Sequence, residues 1–158
     1  MMTANEKPAQ RELTITRIFD APRALVYEAW TDPKHLAQWW GPQYFTNPVV
    51  EVDVRPGGKF YVQMTDPNGV AYPVKGTFRE AVPLERLVFT TSSFEDTSGV
   101  PQLEGLATVI FEDFEGKTKL TLHVTMLKHT PEVAWALAGM NDGWTQSFDK
   151  LDKLLVEK

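Results

Sequence analysis

The sequence predicts an α+β domain in which a curved antiparallel sheet of six to seven strands wraps a long C-terminal helix, with two short helices after the first strand. Three features point there. Apolar and polar residues alternate over residues 12–19 and again, in runs broken by turn residues, from Pro48 to Lys128, which is the period of half-buried strands. Two proline-led segments with helical spacing separate those regions. From Thr130 onward the period changes to three or four, that of an amphipathic helix. Such an order buries every apolar face only if the sheet curls around the last helix.

Taken in order, residues 1–11 are polar and aperiodic and read as a disordered lead-in to a domain over 12–158. Leu13, Ile15, Arg17 and Phe19 share one face of the first strand. Asp20 and Pro22 offer the start of a helix through Val26 and Trp30; Asp32-Pro33 starts a second, which Gly41-Pro42 stops. Val50, Val52 and Val54 alternate before the turn Pro56-Gly57-Gly58, and Phe60, Val62 and Met64 follow it. Asp66-Pro67-Asn68-Gly69 is the next turn, and Pro83-Leu84-Glu85 joins strands over 74–82 and 86–92. The polar stretch Phe94 to Gln102 is expected to be the longest and most mobile loop. A hairpin across Glu115-Gly116 pairs 106–114 with 117–128. The last helix, capped by Thr130 and opened by Pro131, places Leu137, Met140, Trp144, Phe148, Leu151 and Leu155 on one stripe. Run to Val156, it would be roughly 40 Å long at 1.5 Å per residue. Gly139 and Gly143 weaken it, which is best accounted for by space or close approach at its centre.

The 158 residues are 42% apolar and 23% charged, the profile of a globular domain with a real core. A net charge of −5 with a pI near 5.2 gives no basic footprint for nucleic acid and is repelled by an anionic membrane. No apolar run is long enough to span a bilayer and the N-terminus lacks a signal-peptide core, so the expected location is the cytoplasm. Without cysteine there is no disulfide, thiolate nucleophile or cysteine-held metal. His35, His123 and His129 form no metal-binding spacing and no HExxH, P-loop, GxGxxG or Gly-x-Ser-x-Gly occurs; no metal and no cofactor are expected.

Three segments occur in an order with a family precedent: APRALVYEAWTDPKHLAQWWGP (21–42), VDVRPGG (52–58) and GWTQSFDKLDKLL (143–155). On these the chain resembles the bacterial proteins grouped with the C-terminal domain of the activator of heat-shock protein ninety ATPase, within the Bet v 1-like or START-like (SRPBCC) helix-grip superfamily. The resemblance covers the chain from about Glu12 to its end and implies a helix-grip fold with a cavity between sheet and helix.

Candidate cavity residues follow from the stripes. Adjacent helical residues point about 100° apart, so of Trp39 and Trp40 one is expected in the core and one at the cavity. Trp135, Met140, Trp144 and Phe148 are the candidates on the last helix. From the sheet, Phe60, Val62 and Met64 contribute on one strand and Phe78 and Phe89 on the next two, with Val109, Phe111, Leu122 and Val124 on the final hairpin. Asp53 and Arg55 pair within turn scaffold, and Asp149 and Asp152 beside Lys150 and Lys153 read as a solvated helix face.

The reading that results is binding of a small, mainly apolar ligand, aromatic or lipid-like. The superfamily supplies two alternatives. One is a cyclase-like cavity enzyme, which would need Tyr61, Arg79 or Asp53 to converge inward; the other is a chaperone-associated interaction module, ranked lowest because the eukaryotic activator uses a further domain. A homodimer through a strand edge or the tryptophan-bearing helices stays open.

Overall fold

The computed structural model describes residues 12–156; the lead-in expected over residues 1–11 lies outside the described residues. Seven strands, β1 (Glu12–Phe19), β2 (Thr46–Val52), β3 (Lys59–Thr65), β4 (Ala71–Val82), β5 (Arg86–Glu95), β6 (Pro101–Phe114) and β7 (Lys117–His129), form one antiparallel sheet. Its order is β1-β7-β6-β5-β4-β3-β2. Strands β1 and β2, consecutive in sequence, are therefore the two edges, and the chain between them crosses the sheet as α1 (Arg23–Thr31) and α2 (Pro33–Trp39). A 3-10 turn (Pro131–Val133), α3 (Ala134–Ala138) and α4 (Met140–Val156) complete the helix-grip fold. Among the described residues no helix is long and apolar enough to cross a membrane.

Local chemistry explains the boundaries. Asp32 caps α2 by accepting from Lys34 N at 2.8 Å, with Pro33 in the first turn. Asp20 does not cap α1: that helix begins at Arg23 behind an extended Pro22, without a side-chain cap. Gly41 takes φ +93°, a conformation that favours glycine, and a Cβ there would also press on Met64 Sδ at 3.1 Å, so the positive φ is what calls for glycine at the stop after α2. At Gly58 a Cβ would fall 1.8 Å from Asp53 O, which fixes the β2–β3 turn.

Two expectations about the extent of elements also fail. The segment Phe94 to Gln102 is not a long loop, because β5 continues to Glu95 and β6 starts at Pro101. The Asp96 carboxylate accepts from Ser98 N at 2.8 Å and Val100 N at 3.0 Å, closing a tight Asx turn whose length the polar composition conceals. Asp66 makes the same turn between β3 and β4, accepting from Asn68 N and Val70 N, both at 2.9 Å. Nor is the last helix continuous. It breaks at Gly139, and α4 alone has 17 residues, about 25 Å at 1.5 Å each. Thr130 precedes the 3-10 turn without a side-chain cap.

The core sits at the α1–α2 end of the concave face. Trp30 is at its centre, stacked 6.1 Å from Trp144 and 4.7 Å edge-on from Trp39, with Phe89, Phe111 and Phe148 within 6.4 Å. Fully burying one such ring contributes about 3 kcal/mol. From this anchor α4 extends along the trough: Phe148, Leu151 and Leu155 are buried, while Met140 and Trp144 are only partly covered.

Candidate functional site

The uncovered half of the α4 stripe roofs a cavity of about 310 Å³, near the lower end for small-molecule sites. Its floor is the concave sheet: Met64 on β3, Val74 on β4, Thr91 and Ser93 on β5, Leu103 and Ala107 on β6, and Val124 and Met126 on β7. Its roof is Trp135 and Ala136 on α3, Gly139 at the break, and Met140, Gly143, Trp144 and Ser147 on α4. Trp40, Gly41 and Pro42 close one side. Both glycines of the helical segment thus face the cavity, where side chains would take up its volume.

The wall made by residues 40–42 is stitched to α4 through consecutive carbonyls. Ser147 Oγ donates to Gly41 O at 2.9 Å, and Lys150 Nζ reaches Pro42 O at 3.2 Å and Trp40 O at 3.5 Å. Asn47 Nδ2 also donates to Trp40 O at 2.8 Å, and Gln43 N to Gln146 Oε1 at 3.0 Å. The half-buried Lys150 ammonium is held below its ordinary pKa by loss of solvent.

At the mouth four aromatic rings follow one another: Phe45 to Tyr72 at 5.9 Å, Tyr72 to Phe94 at 6.0 Å and Phe94 to Trp135 at 5.5 Å. Trp135 is 63% exposed. Phe94 holds a φ of 57°, a left-handed conformation that costs a non-glycine residue roughly 1 kcal/mol or more and that its contacts with Tyr72 and Trp135 offset. Tyr72 Oη donates to Asp66 Oδ2 at 3.1 Å, and that bond, chiefly, raises the phenol above its usual pKa.

Of the residues expected at the cavity, Trp40, Met64, Val124, Trp135, Met140 and Trp144 line it. The others do not. Trp39 is fully buried with its Nε1 donating to Ala29 O at 2.9 Å, and Phe60, Phe78 and Phe89 pack on one another at 4.5–5.8 Å. Val62, Val109, Phe111, Leu122 and Phe148 are likewise core. Sheet position explains the division: rows nearer α1 and α2 are covered by those helices, and only rows toward the β5–β6 turn remain open. Tyr72, Thr91, Ser93 and Met126 escaped the sequence reading. Thr91 and Ser93 were in phase with Phe89, but polar hydroxyls gave no apolar signal.

Outside the cavity, Arg55 Nε donates to Asp53 Oδ2 at 2.7 Å on the surface, and Tyr61, Arg79 and Asp53 do not line the cavity. Asp149 and Asp152 lie on a solvated helix face as expected, their side chains 51% and 39% exposed, and each also lies 2.6 Å from Arg17 Nη2, tying α4 to β1. Glu28, Asp32 and His35 bring three potential ligand atoms within 4.8 Å of one another on α1–α2.

Comparison with solved structures finds the same architecture in a protein from Arthrobacter aurescens (27% identity, 97% of this chain and 90% of that one, TM-score 0.80). A protein from Nitrosomonas europaea is similar at 26% identity over 94% and 96% of the two chains, TM-score 0.77. An AHSA1 protein from Silicibacter pomeroyi matches at 26% identity over 93% and 99%, TM-score 0.76. No curated protein matches the chain by sequence. Residues 20–156 match the family model described as Activator of Hsp90 ATPase homolog 1-like protein, so the chain belongs to that family, with its Bet v 1-like, START-like fold.

Proposed function

We propose that this protein binds a small, mainly apolar ligand in the cavity between the concave sheet and α3–α4, with Trp40, Met64, Val124, Trp135, Met140 and Trp144 in contact with it. One observation carries the reading: a roofed space of about 310 Å³ persists beside a densely packed aromatic core. Displacing water from so apolar a lining is a favourable source of binding energy. Ligand binding in a cavity is common in the family. Three of the five tryptophans line it, which supplies an intrinsic optical probe.

The test is native mass spectrometry of protein purified from the cells that make it, compared with its denatured mass, together with tryptophan fluorescence on adding extracted small molecules. A reproducible adduct accompanied by quenching is expected. A bare mass with no quenching by any extract would overturn the proposal.

A further inference from the structure

Among the described residues, no charged side chain lines the cavity. An ionised ligand group brought inside would lose its hydration without gaining a counter-charge. Charges beside the lining are already committed: Asp66 to its own turn and to Tyr72, Lys150 to the carbonyls of Trp40 and Pro42, and Glu12, in the hollow that adjoins the cavity at Val124, Met126 and Met140, to His123 at 3.2 Å.

Apart from indole N–H groups, the polar N and O side-chain atoms of the lining among the described residues are four hydroxyls. Those of Tyr72 and Ser147 are bonded within the protein. Those of Thr91 and Ser93 make no hydrogen bond among the described residues. Both lie on β5, the middle strand of the seven, one and two strand repeats beyond the buried Phe89. Residues at such concave positions are apolar on the neighbouring strands: Val74 opposite Ser93 on β4, Leu103 opposite it on β6. Thr91 faces Gly105, where a Cβ would lie 3.2 Å from Thr91 Oγ1 and 3.3 Å from Met126 Cε. Glycine there leaves the hydroxyl uncrowded. Hydroxyls without protein partners on a cavity wall must be satisfied by water or by a ligand group.

We propose that the ligand is an uncharged molecule with an apolar body and one hydrogen-bonding group, a hydroxyl or a carbonyl, and that Thr91 and Ser93 are the specificity residues that hold this group. The assignment rests on the reading that the cavity binds a small molecule. The indoles of Trp40 and Trp144, 5.0 Å apart and nearly perpendicular, take the apolar body, and the β5 hydroxyls set its orientation.

Equilibrium dialysis with three matched probes tests this: naphthalene, 2-naphthol, and 2-naphthoate, which is ionised at neutral pH. The wild-type protein should bind 2-naphthol about fivefold more tightly than naphthalene, as one neutral hydrogen bond permits, and 2-naphthoate no more tightly than naphthalene. Thr91→Val with Ser93→Ala should bring the naphthol-to-naphthalene ratio to about one while leaving naphthalene binding intact, which also reports that the cavity survives. Thr91→Ser, which keeps the hydroxyl, should preserve the ratio. An unchanged ratio in the double variant, or tighter binding of 2-naphthoate than of 2-naphthol, would overturn the assignment. A native adduct without binding of any probe overturns this assignment alone; neither adduct nor probe binding removes the binding reading as well.

Discussion

Arg17 illustrates how one side chain can hold two elements together. Its guanidinium is raised further above its ordinary value by Asp149 and Asp152, against the desolvation of its own partial burial. Because it is partly exposed, the pair of contacts should contribute modestly: Arg17→Met is expected to cost about 1 kcal/mol in urea denaturation, less at high salt. Lys150 behaves in the opposite sense. Its pKa is lowered from 10.5 by burial, so on raising pH the folded state releases this proton before the unfolded chain does. The unfolded state then binds more protons, and stability rises with pH in that window. Wild type should therefore gain stability relative to Lys150→Met as pH rises toward 10.5, measured by parallel denaturant titrations; a flat difference would count against a buried ammonium.

At the scale of elements, the last helical segment divides its labour at Gly139. Beyond it α4 is anchored by Phe148, Leu151 and Leu155; before it α3 contributes the exposed Trp135 to the mouth. Gly143 has no positive φ, and a Cβ there would meet Pro42 Cγ at 3.7 Å, an ordinary contact. Gly143→Ala should thus stabilise the protein by about 0.5–1 kcal/mol through helix propensity, while Gly143→Leu should fill the cavity and abolish 2-naphthol binding without unfolding the chain. Thermal melts and dialysis on the two variants separate these effects. The paired turns at Asp66 and Asp96 are a second device. By tying their own backbone they allow β3 to β6 to extend far enough to carry Tyr72 and Phe94 to the rim.

For the whole molecule, the sheet spends one part of its concave face on a core and leaves the other as a cavity. Trp30, Trp39, Phe60, Phe89 and Phe148 hold the fold without contact with the cavity, so changes at the site and changes in the core should be separable. Phe89→Ala is expected to cost 3–5 kcal/mol, as deep truncations do, whereas Met64→Ala at the lining should cost less. A ligand at a hundred times its Kd should add about 2.7 kcal/mol to stability. For a domain of this size that is a rise in Tm of about 5–10 °C, readable by calorimetry.

The sequence by itself determined the order of elements and most strand boundaries, because period-two and period-3.6 patterns, proline starts and glycine stops are local signals; the superfamily came instead from the resemblance carried by residues 21–42, 52–58 and 143–155. It also marked the glycines of the last helix as a sign of space. Only the tertiary structure decided which apolar residues line that space. Phe60, Phe89 and Met64 share the strand alternation, yet the first two are covered and Met64 lines the cavity, and the difference is how far along the trough α1 and α2 reach. The partners of Arg17 and the unpaired hydroxyls of Thr91 and Ser93 were equally invisible. Each depends on residues distant in sequence or on what fails to approach, and neither leaves a trace in the local alternation of apolar and polar residues.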